Sequence, residues 1–147
     1  MEAKKVLVPI DFSRNANRIV QEGVDIAGRF GAEVHILFVA QVFQDYSEFF
    51  VPHMPVIRFE EDILSQAREK MEEFIKENFD SCSSCKTKVL SGDAAETILT
   101  YAEEEGIDLI VMGTHGYKGL EKVLFGSVAE KVVKAANCPV LTINPYK

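Results

Sequence analysis

Gly113-Thr-His-Gly116, nine further residues and then Gly126-Ser127 set three glycines and a hydroxyl after a continuous apolar run, Asp108-Leu-Ile-Val-Met112, and before a helical pattern. Glycine allows backbone angles that a side chain would forbid, so that amide N–H groups can converge on an anion. A helix N-terminus adds unpaired N–H groups and the positive end of the helix dipole. Together these are the means of holding phosphate. The Ser127 hydroxyl could donate to a phosphate while its oxygen caps the helix, with Glu130 three residues on in support. The plainer alternative is a set of turn glycines and a cap. Position in the fold decides between them.

Asp11 follows the first apolar run, where a carboxylate can accept from ribose hydroxyls or help hold a phosphate-bound metal; its plainer role is a turn or cap shared with Ser13. Val39 ends the second run and is a core residue by default, although backbone groups freed at a strand end could pair with an adenine edge. His115, Lys118 and Lys122 are the basic groups near the glycines, and each reads as a solvated loop residue. The segment has neither Gly-Lys-[Ser/Thr] nor Gly-x-Gly-x-x-Gly, so it is neither a P-loop nor a classical dinucleotide fingerprint. Gly-x-Ser-x-Gly and His-Glu-x-x-His are absent as well, and no residue is assigned a catalytic role.

Cys82-Ser-Ser-Cys85 has the spacing of a redox pair or half a zinc site. A redox pair sits at a helix N-terminus, whereas a strand-like segment follows here, and no second pair completes a zinc site. A surface turn or a local disulfide is the simpler reading.

The elements that must position these residues alternate from end to end. Val6–Ile10 is a short apolar run; Ala16, Ile19, Val20, Gly23, Val24 and Ala27 recur at helical spacing, with Gly31 as a stop. Val34–Val39 is a second strand. Residues 40–57 break the pattern with Pro52, Pro55 and many apolar side chains, Phe43, Tyr46, Phe49, Phe50 and Met54 among them; these suit a cover for the sheet or an interaction surface. A helix carrying Ile63, Ala67, Met71, Phe74 and Ile75 follows, and Lys86–Leu90 is a weaker strand. Asp93 opens a helix that Gly106 closes, Asp108–Met112 is the fourth strand, Ser127 starts the last helix, and Pro139–Ile143 is the fifth strand.

This β-α-β-α-β-α-β-α-β order predicts an α/β fold: a doubly wound parallel sheet with helices on both faces, in a single domain over 1–147. Ligands of such sheets bind beyond the strand carboxyl ends, where the winding reverses. The glycine segment, Asp11 and Val39 all fall there.

A net charge of −7 argues against a broad nucleic-acid or anionic-membrane surface. No apolar run reaches the roughly 18 residues that span a bilayer, and the N-terminus has no signal-peptide pattern, so the expected location is the cytoplasm.

The chain resembles the universal stress protein family in its ATP-binding branch. The resemblance rests on Val6-Leu-Val-Pro-Ile-Asp11, Asp108–Gly116, Leu124-Phe-Gly-Ser-Val-Ala129 and Cys138-Pro-Val-Leu141, and on the family spacing Gly-x2-Gly-x9-Gly-[Ser/Thr] at Gly113, Gly116, Gly126 and Ser127. It implies strand order 3-2-1-4-5 and ATP bound with Mg²⁺ or Mn²⁺. Pro9, Asp11 and Val39 would line the adenosine side, Met112 and Gly113 the ribose, and Gly116, Gly126, Ser127 and Val128 the phosphates. It also implies a homodimer through the last strand, Val140–Ile143. The expected role is a dimeric, nucleotide-responsive stress-response module, with a protein partner still unnamed. The alternatives are a slow metal-dependent ATPase or nucleotide hydrolase using Asp11, and a dimerisation module with an empty site.

Overall fold

The computed structural model describes residues 1–41, 56–115 and 126–146. Among them run β1 (Lys5–Ile10), α1 (Ala16–Phe30), β2 (Glu33–Ala40), α2 (Val56–Asn78), β3 (Cys85–Ser91), α3 (Ala94–Glu104), β4 (Leu109–Gly113), α4 (Ser127–Ala135) and β5 (Val140–Ile143). The strands form one sheet of order β3-β2-β1-β4-β5, parallel at each junction. This is the expected doubly wound architecture. The chain winds outward from β1 to β3, then crosses back to β4, so the switch lies between β1 and β4.

Strand alternation sorts the core into two layers. Val6, Val8, Val34, Ile36 and Val111 pack with residues of α1 and α2. Leu7, Leu37, Val39, Ile110 and Met112 pack with residues of α3 and α4. The central strands are buried on both faces, which is why they read as continuous apolar runs. The edge strand β3 exposes Lys86, Thr87 and Lys88, so its apolar signal is weak in the sequence. Those lysines also discourage pairing with a foreign strand. The helix α2 begins at Val56, inside the stretch that sequence pattern leaves as a connection.

The amino ends of β2 and β3 carry a polar chain that pattern does not reveal. His35 is buried on β2; its Nε2 lies 2.5 Å from Glu33 Oε1, and its Nδ1 lies 2.7 Å from the Tyr101 hydroxyl of α3. Glu33 in turn pairs with Lys86 of β3 at 3.1 Å. The carboxylate can only accept, so Nε2 carries the proton; in the neutral ring Nδ1 then accepts from the Tyr101 O–H. The His35 and Lys86 hydrogen bonds hold the Glu33 carboxyl below its ordinary range. Burial first, then the charges of Glu105 and Glu33, pushes the Tyr101 hydroxyl up to about 12.

A phenol whose pKa is higher folded than unfolded gives stability that is complete below the unfolded value, near 10. That stability is lost as pH rises from there through about 12. Tyr101→Phe should therefore cost about 1–3 kcal/mol at neutral pH, because it strands a buried imidazole acceptor. It should also flatten the loss of stability above pH 10. Urea unfolding of both proteins at pH 7, 10 and 11 reads both effects; an unchanged slope would exclude Tyr101 as its source.

Candidate functional site

The carboxyl ends of β2, β1 and β4 bring most of the expected ligand residues together. The β1–β2 ladder ends at Ile10↔Phe38, so one step further sets Asp11 beside Val39. The β1–β4 register, Leu7↔Ile110, carried on two residues sets Pro9 beside Met112. By alternation Pro9 shares the sheet face of Leu7, and Val39 and Met112 lie on that same face, the one covered by α3 and α4. The side chains of Pro9, Val39 and Met112 are buried, which leaves mainly backbone edges for a ligand. Gly116 falls outside the described residues, as do Lys118, Lys122 and the apolar residues Phe43 to Met54.

Thr114 ties the end of β4 to its surroundings. Its N–H donates to the Ile143 carbonyl of β5 at 2.9 Å, and its own carbonyl accepts from the Gly126 N–H at 2.5 Å. That second bond seats the N-terminus of α4 against the end of β4. Gly126, not Ser127, is the N-cap, and no side chain caps this helix. The expectation that Ser127 caps is therefore corrected: Ser127 is the first helical residue and exposed, and its hydroxyl caps nothing. The first helical bond runs from the Glu130 N–H to the Gly126 carbonyl at 3.0 Å. The amides of Ser127, Val128 and Ala129 are thus the orphan donors of this terminus, at the positive end of the helix dipole.

The glycines serve differently from what the sequence suggests. Gly126 has φ −70°, and Gly113 is not among the residues of positive φ, so neither uses a conformation closed to other residues. At Gly113 the constraint is a close fit, since a Cβ would lie 3.3 Å from Ile19 Cδ1 and that side-chain end would have to give.

Asp11 opens the turn from β1 into α1. Its Oδ1 accepts from the Ser13 N–H at 3.0 Å, and Ser13 Oγ accepts from the Asn15 N–H at 3.4 Å. This is the shared turn role, and it occupies one carboxylate oxygen. Phe12, between them, is left-handed at φ 56°, a conformation that costs a bulky residue and needs outside support. The support is aromatic: Phe38 at 4.5 Å, Phe74 at 6.2 Å, and Lys70 Nζ 5.6 Å from the ring centroid. Nothing local in the sequence signals Phe12, because the residues that hold it come from β2 and α2.

His115 is also corrected. It is buried, not solvated, with Nδ1 2.7 Å from Thr114 Oγ1 and its ring edge-on to Tyr146 at 5.1 Å. Its Nε2 has no hydrogen-bond partner among the described residues. Nearby, Arg18 in the first turn of α1 donates to the Pro145 carbonyl at 2.7 Å, which ties Pro145 to the start of that helix.

A helix N-terminus at the switch point of a five-stranded parallel sheet defines a doubly wound α/β domain, a class whose ligands bind beyond the strand carboxyl ends. The family model described as the universal stress protein family matches residues 2–144, and the chain belongs to that family. Universal stress protein MJ0531 of Methanocaldococcus jannaschii is 36% identical over 148 residues, covering 98% of this chain and 84% of its own length. The solved structure of MJ0577 from the same organism aligns with a TM-score of 0.81 at 32% identity, over 98% of this chain and 97% of that one. Universal stress protein UspA from Lactobacillus plantarum aligns at 0.78 and 27% identity, over 98% and 99% of the two chains. At 20% identity, where likeness reaches only the fold, stand a universal stress protein in complex with cAMP and one from Archaeoglobus fulgidus in complex with dAMP. No helix among the described residues is long and apolar enough to cross a membrane.

Proposed function

We propose that the protein binds ATP across the carboxyl ends of β2, β1 and β4, and that it serves as a dimeric, nucleotide-responsive module of the cytoplasmic stress response. The observation that carries this reading is the bond from the Gly126 N–H to the Thr114 carbonyl, which fixes the orphan donors of α4 beside the end of β4. Gly116, Gly126, Ser127 and Val128 would hold the phosphates. Met112 and Gly113 would border the ribose, and Pro9, Asp11 and Val39 the adenosine. Family members of the same fold take cAMP and dAMP, which supports an adenine nucleotide.

Among the described residues no group of three or more His, Cys, Asp or Glu could hold a metal by itself. Mg²⁺ or Mn²⁺ would enter with the phosphates and neutralise them, and Asp11, with one oxygen outside its turn bond, could meet it. For the dimer, β5 is a sheet edge with Leu141 exposed at 41%, and an unpaired apolar edge favours a second copy.

Isothermal titration of nucleotide-free protein with ATP and Mg²⁺ tests the reading. One saturable site per chain is expected; heats of dilution alone would overturn it.

A further inference from the structure

A disulfide joins Cys82 to Cys85 in the turn between α2 and β3, with the two Cα atoms 5.5 Å apart. Backbone hydrogen bonds hold this turn as well as the sulfurs do. The Cys82 N–H donates to the Phe79 carbonyl at 2.9 Å, the Cys85 N–H reaches the Cys82 carbonyl at 3.5 Å, and the Ser84 carbonyl accepts from the Val34 N–H of β2 at 2.9 Å. Two free thiols in this turn would stay adjacent, so closing the ring is favoured over capture by a second molecule.

The pair is also within reach of solvent. Both cysteines are half-buried, and Ser81, Ser83 and Ser84 around them are exposed. The third cysteine does not compete. Cys138 is free, packs against the core layer on the opposite face, and burial pushes its thiol up, leaving little thiolate to invade the bond. Accessibility without a rival thiol separates a reversible pair from an inert buried one.

We propose that Cys82 and Cys85 form a reversible thiol–disulfide modification site that fastens the end of α2 to the start of β3 when oxidised. The oxidant is a small-molecule disulfide such as glutathione disulfide. One cysteine thiolate attacks it, its S–S bond breaks, and one glutathione thiolate departs. The second cysteine thiolate then attacks the protein-side sulfur of the mixed disulfide and expels the second glutathione. Two electrons pass from the cysteine pair to the oxidant, and the two thiol protons end on the two glutathiones. A reducing dithiol runs the exchange backwards. The mechanical target is the start of β3, an edge strand with one neighbour in its sheet among the described residues.

The test equilibrates the full chain with glutathione and glutathione disulfide from reducing to oxidising ratios, alkylates the free thiols, and reads intact mass and melting temperature. The expected result is loss of two alkylation sites together, no retained glutathione, and reversal by dithiothreitol in the folded protein. The short loop predicts a melting temperature about 5 °C higher in the oxidised form. Cys82→Ser/Cys85→Ser should melt like the reduced protein at every ratio, and Cys138→Ser should switch like wild type. Two free thiols at the most oxidising ratio, a persistent glutathione adduct, or a disulfide that resists dithiothreitol would overturn the site. Equal melting temperatures of the two forms would overturn the brace.

Discussion

Ser127→Asp weakens ATP binding by at least about 30-fold while the melting temperature holds or rises, if α4 receives the phosphates. The two effects part because Ser127 is the first helical residue and Gly126 is the cap. Replacing Ser127 removes no cap. A carboxylate in the first turn faces the positive end of the helix dipole and gains about 0.3–1 kcal/mol. The same carboxylate stands where the polyphosphate would bind. Each pair of unit charges about 4 Å apart costs roughly 1 kcal/mol even in bulk water. Two close phosphate charges thus give about 2 kcal/mol, or about 30-fold. Ser127→Ala removes one hydroxyl donor and should cost under about tenfold. Titration calorimetry and thermal melts on the same three proteins decide the matter. If Ser127→Asp binds ATP as wild type does, the phosphates lie elsewhere.

The sequence carried the frame of this site better than its interior. β1, β2 and β4 are legible because burial on both faces leaves each with a run of apolar residues, Val6–Ile10, Ile36–Ala40 and Leu109–Met112. Their order then follows from alternation and crossover handedness, which are local and general rules. β3 is faint for the opposite reason: an edge strand must show polar residues to solvent, and Lys86, Thr87 and Lys88 do so. The caps were partly legible. Gly31 ends α1 at φ 64°, and Asp93 accepts from the Glu96 N–H as its spacing suggests.

The residues that sequence pattern misses or misassigns are those whose surroundings come from distant parts of the chain. His115 is buried through Thr114 beside it and Tyr146 beyond β5, and no pattern around His115 announces the second. Phe12 sits in a left-handed turn because Phe38 and Phe74 hold its ring. Ser127 is a sensible cap by type, but Gly126, bonded to Thr114, takes that place, and the helix starts one residue earlier. In each case tertiary contact, not local preference, sets the role. The sheet that frames the site is therefore easier to read than the setting of each side chain within it.

Gly23→Val should destabilise the fold by about 3 kcal/mol, and Gly23→Ala by about 2, against the better helix propensity of both residues. The cause is the closeness of α1 to β1. A Cβ on Gly23 would lie 2.5 Å from Cγ2 of Val8, a fully buried side chain in the middle of β1. Valine has one soft torsion and no free space to turn into, so α1 must lift instead. Alanine at this helical position would otherwise gain about 1 kcal/mol, which makes a net loss diagnostic of the contact. Val8→Ala clears the same space at a cavity cost of about 2 kcal/mol alone. Combined with Gly23→Ala it should recover about 1–2 kcal/mol of the summed loss, as coupling between touching residues requires. The displacement reaches the site as well, because residues 11–15 alone join β1 to α1 and carry the Asp11 turn. Gly23→Ala should therefore weaken ATP binding, and Val8→Ala in the same chain should restore part of it. Denaturant melts and titrations on the four proteins of the cycle test both statements; strict additivity in stability would mean that α1 does not rest on Val8.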